Sequence, residues 1–542
     1  MKASDLFVKC LENEGVKYIF GIPGEENIDI LDSLLGSRIQ FITTRHEQGA
    51  AFMADVYGRL TGKAGVCLST LGPGATNLVT GVADANMDRA PLVAITGQAS
   101  LDRMHKESHQ YMDTVGMFKP ITKWNTLVHT ADVIPEVVRK AFKLAQMEKP
   151  GATHIDFPED VAKADIQEQP IPLKEKIPVP HPTPETLKIA AKLVSDARYP
   201  VILAGNGVLR AHAAAALTNF ANKLHIPVAT TFMGKGSIPE DSPLSLHAIG
   251  LQDTDYISCG FDQSDLIIAI GYDLVEHHPQ HWNPQKNKKI LHIDTTPGEV
   301  DAFYNADLEV IGKISETLNH LSNLIRLKDP ENIVCLLRNS VMKEHEIMHA
   351  NCSFPLKPQK ILCEIRQVLC PDDILLSDVG AHKLWVSRVY PVYRPNTCII
   401  SNGFASMGIA LPGAIAAKLV YPERKVLAIT GDGGFLMNSQ EIETAVRLGV
   451  SFVTLIINDG GYGVIKSKQL NTVGRSAFVD FTNPDFVKYA ESFGAKGYRV
   501  SSAHELKAVL QDAFTQQCPA VIDCPVDYSG NISLIKRVNK HL

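Results

Sequence analysis

The sequence has no C-x-x-C pair, and none of its ten cysteines has a histidine at zinc-ligand spacing, which excludes a structural zinc motif. Scattered thiols of this kind are expected as free, mostly buried side chains in a reducing compartment, so a cytoplasmic protein is expected. No Lys/Arg run or strongly basic segment occurs. With 53 basic against 59 acidic residues the net charge is -6, which gives a nucleic-acid partner nothing to bind. Long apolar runs are also missing. The one weakly charged stretch, residues 403–420, is interrupted by Pro412 and several glycines and reads as a buried core helix, so no membrane association is expected. The first residues, Met-Lys-Ala-Ser-Asp-Leu-Phe, carry charge in an amphipathic helical pattern and do not read as a signal peptide.

What is present is enough apolar material for large cores: 45% hydrophobic against 21% charged residues over 542 positions. That length calls for several domains. The segment 167–184 is charged and carries Pro170, Pro172, Pro178, Pro180, Pro182 and Pro184, so it reads as a linker. A second, softer break follows a charged helical stretch around Leu324–Ala350. Three blocks result, 1–166, 185–330 and 356–542. In each, short β-rich runs alternate with helical patterns: Tyr18–Phe20, Phe41–Thr43, Gly65–Ser69 and Leu92–Thr96; Pro200–Ala204, Leu266–Ile270 and Ile290–Ile293; Ile374–Leu376, Lys425–Thr430 and Phe452–Ile457. Such alternation predicts three doubly wound α/β domains with parallel sheets, binding ligands at the carboxyl ends of the strands.

The richest segment is Lys425 to Gly463. A buried strand runs straight into Gly431-Asp432-Gly433-Gly434. Asn438 and Glu441 then have capping-box spacing, with Ile442, Ala445, Val446 and Leu448 as the apolar face and Gly449 as the stop. The next strand ends at Asn458. A right-handed βαβ crossover brings Asp432 and Asn458 to one sheet edge. Their side-chain oxygens, a carbonyl just beyond and a diphosphate suit Mg²⁺, a hard ion that takes oxygen ligands and shares them with phosphates. The glycines let backbone N–H groups approach those phosphates beside a helix N-terminus.

Gly431-Asp432-Gly433 followed by Asn458 resembles the signature of the thiamine-diphosphate enzymes. The resemblance implies that Asp432, Asn458 and the Gly460 carbonyl hold the metal. In Arg45-His46-Glu47-Gln48-Gly49-Ala50-Ala51, Glu47 matches the glutamate that shares a proton with N1′ of the cofactor's aminopyrimidine and so activates its C2 carbon. Gly21-Ile-Pro-Gly24, Leu71-Gly-Pro-Gly74 and Asp378-Val-Gly-Ala-His382 resemble cofactor loops of acetolactate synthases, which places Pro73, Gly380, Ala381, His382 and Tyr462 by the cofactor. In Ser401-Asn-Gly-Phe-Ala-Ser-Met407, Gly403 is a further cofactor position and Met407 matches the apolar wedge that bends the cofactor. Gln110 matches a glutamine near the reacting carbonyl. The family also implies a homodimer or a dimer of dimers, with the first domain of one subunit facing the last domain of another, and pyruvate as substrate.

Ile270-Gly-Tyr-Asp-Leu-Val-Glu276, Trp282-Asn283 and Cys524-Pro-Val-Asp-Tyr-Ser-Gly-Asn531 resemble the fermentative, catabolic members. Biosynthetic relatives have an Arg where Tyr272 stands, and it serves flavin and acceptor binding. Ala204-Gly-Asn-Gly-Val208 and Phe232-Met-Gly-Lys-Gly236 resemble the flavin-containing members instead. These features leave FAD open, with the balance against it; Gly205-x-Gly207 is a weak fingerprint, since Arg210 replaces the third glycine. Lys468, with Gln469 beside it, falls where biosynthetic enzymes place an acceptor-selecting Trp, so pyruvate or 2-oxobutyrate both remain as acceptor, and pyruvate is expected. A regulatory subunit is left undecided. The competing readings are another 2-oxo acid decarboxylase or carboligase on the same fold, or a scaffold subunit without activity; Glu47, Asp432 and Asn458 together favour an enzyme.

Overall fold

The computed structural model describes residues 1–174, 179–250, 256–325 and 353–531. Three six-stranded sheets follow one another along the chain, every pairing in them parallel. The first holds β1 (Tyr18–Gly21), β2 (Gln40–Thr43), β3 (Gly65–Ser69), β4 (Leu92–Gln98), β5 (Trp124–Leu127) and β6 (Ala152–Pro158), in the order β2-β1-β3-β4-β6-β5. The second holds β7 (Pro200–Ala204), β8 (Val228–Thr230), β9 (Ser245–Ala248), β10 (Leu266–Ile270), β11 (Lys289–Asp294) and β12 (Leu308–Ile311), ordered β12-β11-β10-β7-β8-β9. The third holds β13 (Ile374–Ser377), β14 (Cys398–Ile400), β15 (Val426–Gly431), β16 (Val453–Asn458), β17 (Lys496–Arg499) and β18 (Ala520–Pro525), ordered β14-β13-β15-β16-β18-β17.

The first and third sheets therefore share one topology, and the second has the doubly wound dinucleotide-fold order. Each order has a central reversal, between β1 and β3, between β7 and β10, and between β13 and β15, and the first and third sheets swap their last two strands as well. Ligand crevices in open α/β sheets form at such reversals. All ten runs read from the sequence are strands. The other strands, such as β5 and β17, are short or polar and give little alternating signal.

The first and third sheets share a hydrophobic core. The helix Glu47–Thr61 is capped by His46, whose ring accepts the Gln48 N–H, and ends at Gly62 in the left-handed region, φ 67°. Phe52, Met53 and Val56 on it are fully buried, each contributing on the order of 2 kcal/mol. It packs on the helix Ala410–Val420, the weakly charged stretch, where a Cβ on Gly413 would lie 2.8 Å from Val56. That stretch is core, and no helix among the described residues is long and apolar enough to cross a membrane.

The expected capping box does not form. The helix after β15 starts at Asp432 and runs to Asn438, and a second, Glu441–Leu448, follows with no side-chain cap. Partners distant in sequence take both side chains instead. Asn438 donates to the Gly408 carbonyl and to Gln48, and the Glu441 carboxylate accepts N–H groups from the loop after β2. Gly449 ends the helix at φ 63° as expected.

Within the proline-rich segment 167–184 the described residues carry no regular element until the helix Pro184–Asp196. The charged stretch Leu324–Ala350 lies, from residue 326 on, outside the described residues. The described cysteines are free thiols, with Cys10, Cys67, Cys398 and Cys524 buried.

Candidate active site

At the reversal of the third sheet the loops after β13, β15 and β16 surround a cleft of 520 Å³. Gly431 pairs with Ile457, so the next residues in register, Asp432 and Asn458, leave the sheet side by side. Their oxygens converge: the Asn483 amide donates to Asp432 Oδ2 at 2.7 Å and to Asn458 Oδ1 at 3.1 Å. One donor bridging two oxygens marks a point that an oxygen-seeking cation also suits. Asn458 is oriented from behind, its Nδ2 donating to Asp523 Oδ1 at 2.9 Å, while Arg499 holds the other oxygen of Asp523. Gly460, at φ 66°, donates its N–H to Asp432 Oδ2 at 2.8 Å, and its carbonyl accepts the Phe481 N–H at 3.1 Å.

The electrostatics suit a cation here. Burial raises the Asp432 carboxyl above the ordinary range, against donors from Asn483, Gly433 and Gly460. Asp459 is pushed up to about 7, by burial and then by the Asp432 charge. Two acids in one cleft are relieved by a divalent cation.

The other wall suits an anion. Ala381 opens a nine-residue helix, Ala381–Val389, at the cleft. His382 follows, 3% exposed and held neutral by burial, which lowers it to about 3. Its Nε2 is buried and has no hydrogen-bond partner among the described residues, as fits a ring that meets a ligand oxygen. Asp378 ties this wall together, accepting the N–H groups of Val379 and Gly408 and the Thr430 hydroxyl. The Gly408 bond fixes the loop that carries Met407 into the cleft.

Of the residues expected from sequence, Gly380, Ala381, His382, Met407, Gly431, Asp432, Gly433, Gly434, Tyr462 and Lys468 line this cleft. Gly403 does not; its N–H donates to Asp88. Gln469 points away, exchanging hydrogen bonds with the Ala477 backbone. Glu47, Pro73 and Gln110 form a separate group at the edge of the first sheet. Glu47 is 7% exposed and accepts from Asn77 at 2.9 Å. Pro73 is the first residue of the helix Pro73–Met87, and a Cβ on the preceding Gly72 would meet the Gln110 carbonyl at 2.6 Å. None of these three lines the cleft of the third sheet.

Three matches with known families cover most of this architecture. Residues 1–117 match the thiamine pyrophosphate enzyme N-terminal TPP binding domain, 187–321 the central domain and 378–524 the C-terminal TPP binding domain. The chain is 37% identical over 538 residues to the acetolactate synthase of Bacillus subtilis, covering 98% of this chain and 94% of that protein. The chain belongs to the acetolactate synthase family of thiamine pyrophosphate enzymes. A probable acetolactate synthase large subunit of Methanocaldococcus jannaschii is 39% identical (99% and 93% covered), and the catabolic acetolactate synthase of Raoultella terrigena 36% (99% and 97%).

Seen as a member of this family, the chain places four residues beside its candidate site residues that sequence reasoning missed: Asn483, Asp523, Asp378 and Asn77. Each acts through hydrogen bonds to a partner distant in sequence, and no local pattern marks it. Only Asp378 stood in a quoted motif.

The middle sheet has its own glycine loop, Gly205-Asn206-Gly207, at the reversal between β7 and β10. There the protein supplies the anion. The Glu276 carboxylate accepts the Asn206 N–H at 2.9 Å, the Asp273 N–H at 3.1 Å and the Thr231 hydroxyl. The Gly207 N–H goes to the Gly271 carbonyl at 2.8 Å, and the side chain of Tyr272 is buried.

Proposed function

We propose that this protein decarboxylates one pyruvate and joins the remaining two-carbon unit to a second pyruvate, giving 2-acetolactate and CO₂, with thiamine diphosphate and Mg²⁺. The observation that carries this reading is the convergence of Asp432 Oδ2 and Asn458 Oδ1 beside a glycine-lined cleft. Asp432, Asn458 and the Gly460 carbonyl would hold Mg²⁺. Backbone N–H groups from 380–382 and 433–434, with His382, would hold the diphosphate, and Met407 and Tyr462 would flank the rings. When bound, thiamine diphosphate supplies the nucleophilic carbon and the electron sink for decarboxylation. Glu47 moves a proton at the aminopyrimidine N1′. The apolar side of the cleft, Met407, Val464 and Ile465, excludes water that would protonate the reacting carbon early.

Glu47 does not line the chain's own cleft, which supports a site completed by a second copy that contributes its Glu47, in a homodimer or dimer of dimers. Of the two lysines lining the cleft, Lys383 is buried and donates to the Ser401 carbonyl and Asn402, which leaves Lys468 suited to the acceptor's carboxylate, with Gln110 near the reacting carbonyl. The Glu276 carboxylate, seated where a nucleotide phosphate would bind, supports a flavin-free enzyme of the catabolic kind. Free thiols support a reducing, cytoplasmic setting. The archaeal relative's name, large subunit, raises a small partner subunit, whose need is tested with the purified chain alone.

The deciding experiment incubates the purified protein with pyruvate, Mg²⁺ and thiamine diphosphate, with and without FAD, and identifies the product. Acetolactate without added FAD is expected; acetaldehyde alone would reassign the chain to the decarboxylases. Lys468→Ala is expected to raise the acceptor KM about 10-fold, the loss of a charge-assisted contact of roughly 1.4 kcal/mol. An unchanged KM removes Lys468 from the site.

A further inference from the structure

The helix Glu441–Leu448 reaches across to the turn that presents Glu47. Glu441 is 0% exposed, and its Oε1 accepts two backbone N–H groups, from Arg45 and His46, both at 3.0 Å. Thr444 holds the other oxygen at 2.6 Å. On the far side of Glu47, the Gln48 side chain accepts from Asn438 Nδ2 at 3.2 Å, and Asn438, itself 1% exposed, is fixed by the Gly408 carbonyl. Arg447 donates to the Thr43 carbonyl at the end of β2. The approach is close enough that a Cβ on Gly49 would stand 2.7 Å from Glu441 Oε1. Arg45, His46 and Gln48, on both sides of Glu47, are thus hydrogen-bonded by the helix pair that starts at Asp432, and Gly49 is closely approached by it.

Such investment is unusual for a helix N-terminus, which ordinarily finds its acceptors locally. His46 already caps this helix by accepting the Gln48 N–H. The Glu441 contacts act one step earlier, on the loop, and fix the direction in which Glu47 leaves it. Burial pushes the Glu441 carboxyl up to about 7, against the donors of Thr444, Arg45 and His46. A buried acid at that cost, replacing a cap its own helix could have used, is retained for what it holds.

We propose that Glu441, assisted by Asn438, is a positioning residue for Glu47, so that the element carrying Asp432 also sets the Glu47 carboxylate. This rests on the thiamine-diphosphate reading above.

The test reads exchange of the cofactor's C2 proton for deuterium by NMR, at saturating Mg²⁺ and thiamine diphosphate, in the full-length protein. Wild type is expected to exchange, and Glu47→Gln to slow it. Glu441→Ala is expected to slow exchange about 10-fold, since sub-ångström misplacement of a reacting group costs one to two orders of magnitude. Glu441→Gln, which keeps an acceptor oxygen, recovers to within about 3-fold of wild type. In the Glu47→Gln background, Glu441→Ala adds no further loss. Unchanged exchange in Glu441→Ala, or losses that multiply in the double variant, overturns the proposal. Should Glu441→Ala not fold, Asn438→Ala replaces it in the same cycle. A drop of about 3-fold only when Glu47 is present is expected there, and no drop, or equal drops in both backgrounds, overturns the proposal. Wild type that neither binds nor exchanges the cofactor would instead overturn the proposed function.

Discussion

After β15 the chain enters a helix through Gly431-Asp432-Gly433-Gly434; after β7 it does so through Gly205-Asn206-Gly207. Both loops lie where the strand order of their sheet reverses, and both expose backbone N–H groups at a helix start. They end differently. A Cβ on Gly431 would meet only the His382 ring, at 3.6 Å, and beyond it is open cleft. A Cβ on Gly207 would meet the Gly271 Cα at 2.6 Å, and one on Gly205 the Gly271 carbonyl at 2.4 Å. Glycine at one loop makes room for a ligand; at the other it lets two backbones touch. The charge pattern differs in the same sense. The open loop faces His382, whose Nε2 has no hydrogen-bond partner among the described residues, and the two acids Asp432 and Asp459, whereas the closed loop has its own carboxyl group at the N–H groups.

The comparison can be broken most forcefully at Asp432. Asp432→Ala is expected to lower thiamine-diphosphate-dependent turnover by at least about 100-fold, since even partners behind a metal ligand are worth 10- to 100-fold. Cofactor titration in Mg²⁺ reads it, and wild-type affinity would move the metal elsewhere. Next come the two glycines. Gly207→Ala should destabilise the middle domain by roughly 2 kcal/mol through overpacking, lowering its melting temperature. Gly431→Ala should leave melting unchanged and weaken cofactor binding about 10-fold by projecting a methyl into the cleft. Equal behaviour of the two variants would erase the distinction.

A smaller effect belongs to Glu276, whose carboxyl burial raises to about 7. The folded state then holds this proton more tightly than the unfolded chain, so wild type loses stability as pH rises from about 5 to 7. Gln does not titrate. The melting-temperature difference, Glu276→Gln minus wild type, should therefore grow by a few degrees between pH 5 and pH 8, and a flat difference would show the carboxylate better solvated than its burial implies. The smallest expected effect is none: FAD added to wild type should leave intrinsic fluorescence and acetolactate yield unchanged, and saturable binding would reopen the middle loop.

Much of this could be read in advance. Uninterrupted apolar runs bounded by glycine gave the central strands, because a strand buried on both faces must be apolar throughout. β5 and β17, at sheet edges, are polar and went unread. The places of Asp432, Asn458 and His382 at strand ends were legible because glycine-flanked polar residues follow buried apolar runs there. Asn438 and Glu441 were misread for the opposite reason. Their spacing fits a local capping box, yet residues some 390 positions away offered better partners.

By itself the sequence determined the three parallel sheets, the loops at their strand ends and the presence of Asp432 and Asn458 at the ends of adjacent strands of the third sheet, since these follow from patterns within a few dozen residues. Only the tertiary structure decided which glycine loop is open and which is filled by Glu276, that Asn483 and Asp523 align Asn458, and that Glu441 holds the turn before Glu47. Those outcomes depend on which distant backbone or side chain arrives at a given N–H group, and local pattern carries no record of that.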